Sequence, residues 1–421
     1  MSEVIPEGWS IESLGSLAGK ITSGATPKVD NPRYYGGTVP FLKIDDITSL
    51  RGRYVHTAKQ FITDQALNET SAKLFPPGTV LTTMYGTIGS TAILSKAMAT
   101  NQAIAAFIDL QNTTSEYLYQ LLTFEAPRLA SSASQTTQAN ISGAVLKEYC
   151  VPVPPLPEQK KIATILSSVD DVIEKTRTQI DKLKDLKTGM MQELLTKGIG
   201  HTEFKDSVLG KMPKHWNLEP LEALCTDIVD CVNKTAPIVE YATPYRMIRT
   251  TNVRDGKIHT EHMRYVTRET YETWSRRSRV QTGDLIFTRE APMGECGLIN
   301  NPNGLFLGQR TMLYRANPKK LDNNFLLLSM QSNYVQNQIQ DLGGGSTTPH
   351  LRVPDCGKII VKAPPFSEQR HISSSVESVV IQLDAQQKKM RCFESLKKAL
   401  MQDLLTGKIR VKVDNSEVAA A

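Results

Sequence analysis

The chain has 421 residues, 40% hydrophobic and 22% charged, a balance that suits a folded protein of two to four domains and excludes global disorder. Its 49 Lys and Arg against 43 Asp and Glu give a formal charge of +6, which permits nucleic-acid binding without demanding it. No apolar run reaches the roughly 18 residues of a membrane span, and the opening MSEVIPEGWSIESL holds acids and no apolar segment, which argues against a signal peptide.

Residues 1–155 mix short β-rich runs with Gly, Pro and Asn punctuation, as in YYGGTVPFLKI and PPGTVLTTMYGTIGSTAIL, and read as an α/β or α+β globule. A proline cluster, VPVPPLPEQ (Val151 to Gln159), then punctuates a helix start. Over 156–200 Gly and Pro nearly vanish, and apolar residues at Ile162, Val169, Leu183, Leu186 and Met190 mark one face of a long helix. Residues 201–364 form a second β-rich globule. After KAPPFSEQ a second long helix follows over 365–411, with Ile372, Val379, Leu383, Phe393 and Leu400 on its stripe. Residues 412–421 read as a disordered tail. The first globule is near neutral, at about −1, and the second carries about +4. The six cysteines are scattered without a close pair, as expected of reduced, buried thiols in a cytoplasmic protein.

The second half repeats the first at a period of about 207 to 210 residues. IPEGWSIESL returns as MPKHWNLEPL, FLKIDDI as MIRTTNV, PPGTVLTTMYGTIG as VQTGDLIFTREAPMG, and ATNQA as LGQR. Pro155 to Ile199 matches Pro365 to Ile409 without a gap, with 14 of 45 positions identical. A helix of about 40 residues is about 60 Å long and needs a partner along its length. Two matching helices in one chain are expected to bury their stripes against each other as an antiparallel coiled coil, around a twofold-like axis. Polar interruptions at Thr176 with Gln179, and at Gln382 with Gln386, weaken that seam.

Catalytic parts are missing. Neither GTIGST (Gly86 to Thr91) nor GGGST (Gly343 to Thr347) supplies a Walker loop, and no dinucleotide fingerprint follows a strand. APPF lacks the polar first residue of an amino-methyltransferase motif, PDCGK lacks the acid of a metal nuclease, and no GxSxG elbow occurs. His259 with His262, and Cys225 with Cys231, lack zinc spacing, so no metal site is expected. A long chain without such parts favours binding or scaffolding.

With IPEGWSIESLGSLAGKITSGATP, VPFLKIDDI, GTVLTTMYGTIG, PLPEQKKIATILSSVDDVI and MMQELLTKGI, and their second-half echoes, the sequence resembles the specificity subunits of type I restriction-modification enzymes over essentially its whole length. The resemblance implies two target-recognition domains, 1–155 and 201–364, joined by spacer helices 156–200 and 365–411. Each domain would read one half of a bipartite asymmetric site in double-stranded DNA. The helices would set the gap and dock two methyltransferase subunits, and a restriction or translocase subunit would complete the complex. It also implies a non-catalytic chain that binds no cofactor, with S-adenosylmethionine and ATP/Mg held by the partner subunits. The alternative is a coiled-coil assembly scaffold without DNA readout.

Base edges are read chiefly by Arg, Lys, Asn and Gln on loops. Candidates in the first globule are Lys28, Arg33, Tyr34, Lys43, Tyr85, Asn101 and Gln102. In the second they are Arg249, Asn252, Arg254, Arg289, Gln309 and Arg310. Lys43 with Arg249, Met84 with Arg289, and Gln102 with Gln309 occupy equivalent repeat positions. SASQTTQANIS (Ser132 to Ser142), GGGSTTPHLR (Gly343 to Arg352) and the basic TWSRRSR (Thr273 to Arg279) are candidate phosphate contacts. Lys160, Lys161, Arg370, Lys397 and Lys398 on the helix flanks are candidates for docking the methyltransferases.

Overall fold

Short runs rich in Val, Ile, Thr and Phe form strands because alternate side chains can be buried on one face of a sheet. In the computed structural model, which describes residues 5–132, 140–343 and 349–413, these runs fold into two compact units. One joins the residues up to Ile180 to those from Gln386 on; the other is Asp181–Ala385. Each unit therefore takes one half of each long helix.

In the first unit five strands pair in the order Ala18–Ser23, Ile104–Leu110, Val80–Thr83, Thr91–Leu94 and Tyr54–Val55. Phe107 stands opposite both Ile21 and Val80, and all three are buried. A second sheet runs Gln60–Ile62, Tyr35–Leu42, Met98–Thr100 and Leu74–Phe75. The helix Ser115–Ser131, capped where the Thr114 side chain accepts from Tyr117 N–H, buries Tyr117, Leu118, Leu121 and Leu122 in the same core as Phe107.

The second unit repeats this plan. Its main sheet runs Cys225–Asp230, Thr311–Ala316, Leu285–Thr288, Cys296–Leu298, Gly256–Ile258 and Val253–Arg254. Its smaller sheet runs Arg264–Tyr265, Arg246–Ile248 and Leu305–Leu307. Apart from the strands Leu74–Phe75 and Val253–Arg254, the two orders correspond strand for strand. In each unit a further antiparallel pair closes the globule: Ser10–Ser13 with Cys150–Val153, and Asn217–Pro220 with Ile360–Ala363.

The long helices span Leu156–Lys197 and Phe366–Leu405. Gly198 and Gly407, at φ 66° and 70°, take the left-handed backbone that ends a helix cheaply only at glycine. The second helix thus stops six residues short of the expected 411. Of the expected tail, residues 414–421 lie outside the described residues.

The repeated Pro-Pro-x-x-Glu-Gln step has a structural meaning. Its second proline carbonyl accepts the first helical N–H groups, Pro155 O from Gln159 N–H at 3.0 Å and Pro365 O from Gln369 N–H at 3.0 Å. The glutamines are buried cross-ties. Gln159 donates to Pro154 O and Asn112 O, both at 2.9 Å, and accepts from the Thr113 hydroxyl at 2.8 Å. Gln369 donates to Pro364 O at 3.0 Å and Lys320 O at 2.9 Å, and accepts from Asp322 N–H at 2.9 Å. The glutamates join three segments each. Glu158 accepts from Trp9 Nε1 at 3.2 Å and from Arg410 Nε and Nη2 at 2.8 Å. Glu368 accepts from Trp216 Nε1 at 3.1 Å and Ile199 N–H at 3.0 Å, and faces His201 Nε2 at 2.8 Å. A buried carboxylate is tolerable only when its oxygens are satisfied in this way.

In the first unit the helix segments run antiparallel: Lys397 pairs with Asp170 at 2.6 Å and Arg177 with Glu394 at 3.6 Å. Ile162 and Leu166 share a core with Met401, Leu404 and Leu405. In the second unit Leu195 shares a core with Ile372 and Val376. The stripe departs from expectation at Leu186, which is 49% exposed. Lys187 and Met190, one and two turns on from Leu183, take the half-buried positions instead, which leaves Leu186 about 60° off the stripe. Thr176 does sit in the seam, 2% exposed, and satisfies its hydroxyl on Val172 O at 2.7 Å. Gln179 and Gln382 turn outward. All six cysteines are free, but Cys150 and Cys392 are exposed, against the expectation of buried thiols; each lies where its strand or helix meets solvent.

Candidate nucleic-acid interface

At one edge of the first unit five chain segments are tied together. The Thr26 hydroxyl donates to Gln102 Oε1 at 2.7 Å. Asn101 N–H donates to Leu42 O at 3.1 Å, which fixes the start of the Lys43 turn. Met84 N–H donates to Ala103 O at 2.8 Å, and Ile141 N–H to Met84 O at 3.0 Å. Lys28, Lys43, Tyr85 and Gln102 are exposed around this junction. Asn101 is half-buried and spends its amide oxygen on Ala103 N–H at 3.2 Å.

The second unit builds the same edge. The Thr235 hydroxyl donates to Gln309 Oε1 at 3.2 Å. Gly308 N–H donates to Ile248 O at 2.8 Å, Arg289 N–H to Arg310 O at 2.9 Å, and Leu351 N–H to Arg289 O at 3.0 Å. The Thr–Gln tie therefore recurs in both copies. The sequence carried a signal for it: Thr26-Pro27 and Thr235-Ala236-Pro237 stand about 209 residues apart, a recurrence among loop residues too small to look like readers.

Not every candidate belongs to these edges. Arg33 and Tyr34 sit in a short turn, Pro32–Tyr34. The Arg33 carbonyl accepts from Thr63 at 2.8 Å and the Tyr34 hydroxyl donates to Glu69 at 3.2 Å. Asn252 is 4% exposed, accepts from Arg249 N–H at 3.0 Å and donates to His259 O at 3.2 Å. Its counterpart Asp46 accepts from Lys43 N–H at 2.8 Å in the same way, so this position holds a turn. Arg289 is also engaged internally. Only 14% of its side chain is exposed, and it pairs with Asp230 at 3.0 Å and donates to Leu351 O at 3.2 Å, so its charge is spent internally. Arg254 lies on a hairpin anchored elsewhere, where Lys257 pairs with Asp384 of the second long helix at 2.5 Å. Arg249 remains half-buried at the edge and donates to His262 O at 3.3 Å.

The basic run TWSRRSR is also partly engaged. Arg277 donates to Cys231 O at 2.7 Å and Arg279 pairs with Glu272 at 2.6 Å, leaving Arg276 exposed. Asp230, which receives both Arg289 and Arg277, is a hub the sequence did not advertise. Of the two hydroxyl- and glycine-rich runs, residues 133–139 and 344–348 lie outside the described residues. Asp355 of PDCGK is held below the ordinary carboxylate range by Lys358 and Arg352, a local structural cluster. Among the described residues no group of three or more His, Cys, Asp or Glu is placed to hold a metal ion, and no helix is long and apolar enough to cross a membrane.

The duplicated edges can be set beside known proteins. Solved structures share the fold. The S subunit of a type I restriction-modification system from M. genitalium superposes with a TM-score of 0.62 at 15% identity, covering 96% of this chain and 97% of that one. A chain from a study of complex assembly in a type I R-M system gives 0.53 at 17% identity, over 96% and 100%. In sequence, the chain is 27% identical to the type I restriction enzyme MjaVIII specificity subunit of Methanocaldococcus jannaschii, over 97% of this chain and 94% of that protein. It is 21% identical to the EcoBI specificity subunit of Escherichia coli, over 92% and 82%. The family model for the type I restriction modification DNA specificity domain matches residues 6–185 and 246–391. The two matched segments fall one on each copy of the repeat, and the chain belongs to that family of type I restriction-modification specificity subunits.

Proposed function

We propose that the chain directs a type I restriction-modification complex to a divided, asymmetric DNA site, each unit reading one half in double-stranded DNA. The observation that carries this reading is the pair of edges: the same Thr–Gln tie and backbone bonds in both units, with different side chains displayed. Lys28, Lys43, Tyr85 and Gln102 face one half-site, and Arg249, Gln309 and Arg310 the other. Such residues donate to base edges or to phosphates.

The long helices act as the ruler between the half-sites. A helix of about 40 residues, near 60 Å, exceeds the roughly 34 Å of one DNA turn, which suits two readers set about a turn apart. Their flanks, including Lys160, Lys161, Arg370 and Lys398, dock two methyltransferase subunits, and a restriction or translocase subunit joins the assembly. The chain itself is non-catalytic, and S-adenosylmethionine and ATP/Mg are held by those partners. Its modest charge fits this division, because partners then neutralise much of the DNA backbone.

Methylome sequencing of a host expressing the chain with its methyltransferase partner tests the reading. A two-part motif with a fixed gap is expected. A four-residue insertion at the Gly198–Gly200 junction should change the gap and leave both half-sites intact. Modification without sequence preference would leave an assembly scaffold as the role.

A further inference from the structure

The two edges share a backbone and differ in side chains, two of the differing positions lying on either side of a shared backbone bond. Where the first carries Tyr85 and Ala103, the second carries Glu290 and Arg310. The equivalence is one of hydrogen bonding, since Ala103 O and Arg310 O accept from Met84 N–H and Arg289 N–H respectively. In the second edge Gly308 to Thr311 closes as a turn. Thr311 N–H donates to Gly308 O at 3.3 Å and its hydroxyl donates to the same carbonyl at 2.7 Å.

The third residue of such a turn, when its φ is positive, is ordinarily glycine. Here it is Arg310, at φ 71°. A long side chain in the left-handed region costs backbone energy that glycine avoids, and strain of this kind concentrates at functional positions. The strained arginine is not used for packing: 47% of its side chain is exposed. Its Nε pairs with a Glu290 carboxylate oxygen at 3.4 Å, and its two Nη groups have no hydrogen-bond partner among the described residues. One side of the guanidinium thus lies against a carboxylate, and the remaining fork of donors is left to solvent.

The geometry points to Arg310 as the residue that selects a guanine in the half-site of the second unit, its Nη groups donating to O6 and N7 in the major groove. This assignment rests on the proposed reading of that unit as a half-site reader. A forked pair of donors is the match to guanine among the four bases. A phosphate contact fits less well, because the Glu290 carboxylate beside the guanidinium repels a phosphate anion. At Ala103 the first unit offers no side-chain donor, so its half-site is not read from this position.

The test compares the methylome of a host carrying the wild-type chain and its methyltransferase partner with those of hosts carrying Arg310→Gly or Arg310→Ala. Arg310→Gly removes the guanidinium while relieving the turn, so folding is not at stake. The expected result is a loss of discrimination, about ten- to a hundredfold, at one G·C pair of one half-site, with the other half-site and the gap unchanged. Full discrimination retained at every base pair overturns the assignment. So does an equal loss at all sites whatever their sequence, which marks a phosphate contact. A wild-type chain that directs no divided motif overturns the half-site reading itself, and the assignment with it.

Discussion

Glu158 shows how much one side chain can hold. It is 3% exposed and satisfies Trp9 and Arg410 together. Glu158→Ala leaves a buried indole N–H without an acceptor and removes the ion pair, while Arg410, 43% exposed, is solvated by water instead. The expected cost is about 2 kcal/mol, measurable as a lower thermal midpoint, with Glu158→Gln falling between the two. The thiols divide by environment. Burial pushes Cys296 and Cys356 up to about 12, so almost no thiolate forms at pH 8. Alkylation of the native chain at that pH, followed by mass spectrometry, should label Cys150 and Cys392 and spare Cys231, Cys296 and Cys356 until denaturant is added. Lys43, exposed at the edge proposed to read DNA, should behave as a phosphate contact. Lys43→Ala would weaken DNA binding alike for all sequences and reduce the salt slope by about one. Single residues were the least legible level of the sequence. Asparagine and arginine are reader types, but type does not say whether the amide of Asn252 or the charge of Arg289 is already consumed by a neighbour. That depends on His259 O and Asp230, which only the fold brings near.

Elements were far more legible, because periodicity and punctuation act locally. The proline clusters and the absence of breakers marked both long helices to within a residue at their starts, Leu156 and Phe366. The second helix end was placed too late because Gly407, one glycine in a basic segment, outweighed the apolar pattern. Spacing alone could not distinguish Leu186 from its neighbours, since a stripe followed for 40 residues drifts around a helix of 3.6 residues per turn. The difference is measurable. Leu166→Ala, at 0% exposure, is expected to cost about 2–5 kcal/mol, whereas Leu186→Ala should stay within about 0.5 kcal/mol. Equal losses in denaturant melts would place Leu186 back in the core. At Gly198 an added Cβ would stand 2.6 Å from Glu368 Oε1 and 2.7 Å from Trp216 Cζ2. Gly198→Ala should therefore lower stability by about 1–3 kcal/mol.

For the molecule as a whole, the duplication was the decisive signal in the sequence, and the family model matches one segment on each copy of it. The paired edges proposed to read DNA were not legible, because Thr26 and Gln102 are 76 residues apart and nothing in composition joins them. The charge distribution has its own expected outcome. Because the first globule is near neutral, adding the methyltransferase partner should steepen the salt dependence of DNA binding, as seen by fluorescence anisotropy between 50 and 200 mM salt; an unchanged slope would mean that the chain makes the phosphate contacts itself. The strand pairs Ser10–Ser13 with Cys150–Val153, and Asn217–Pro220 with Ile360–Ala363, carry a different implication. Each zips the beginning of a globule to its end, so the chain leaves almost where it came in. Everything between those two strands could then be exchanged as one piece, of another length, provided the incoming segment keeps the ties to Gln159 and Gln369 and the core shared with the helices. On the proposed reading, a lineage could acquire a new target in one crossover pair, without re-evolving its scaffold.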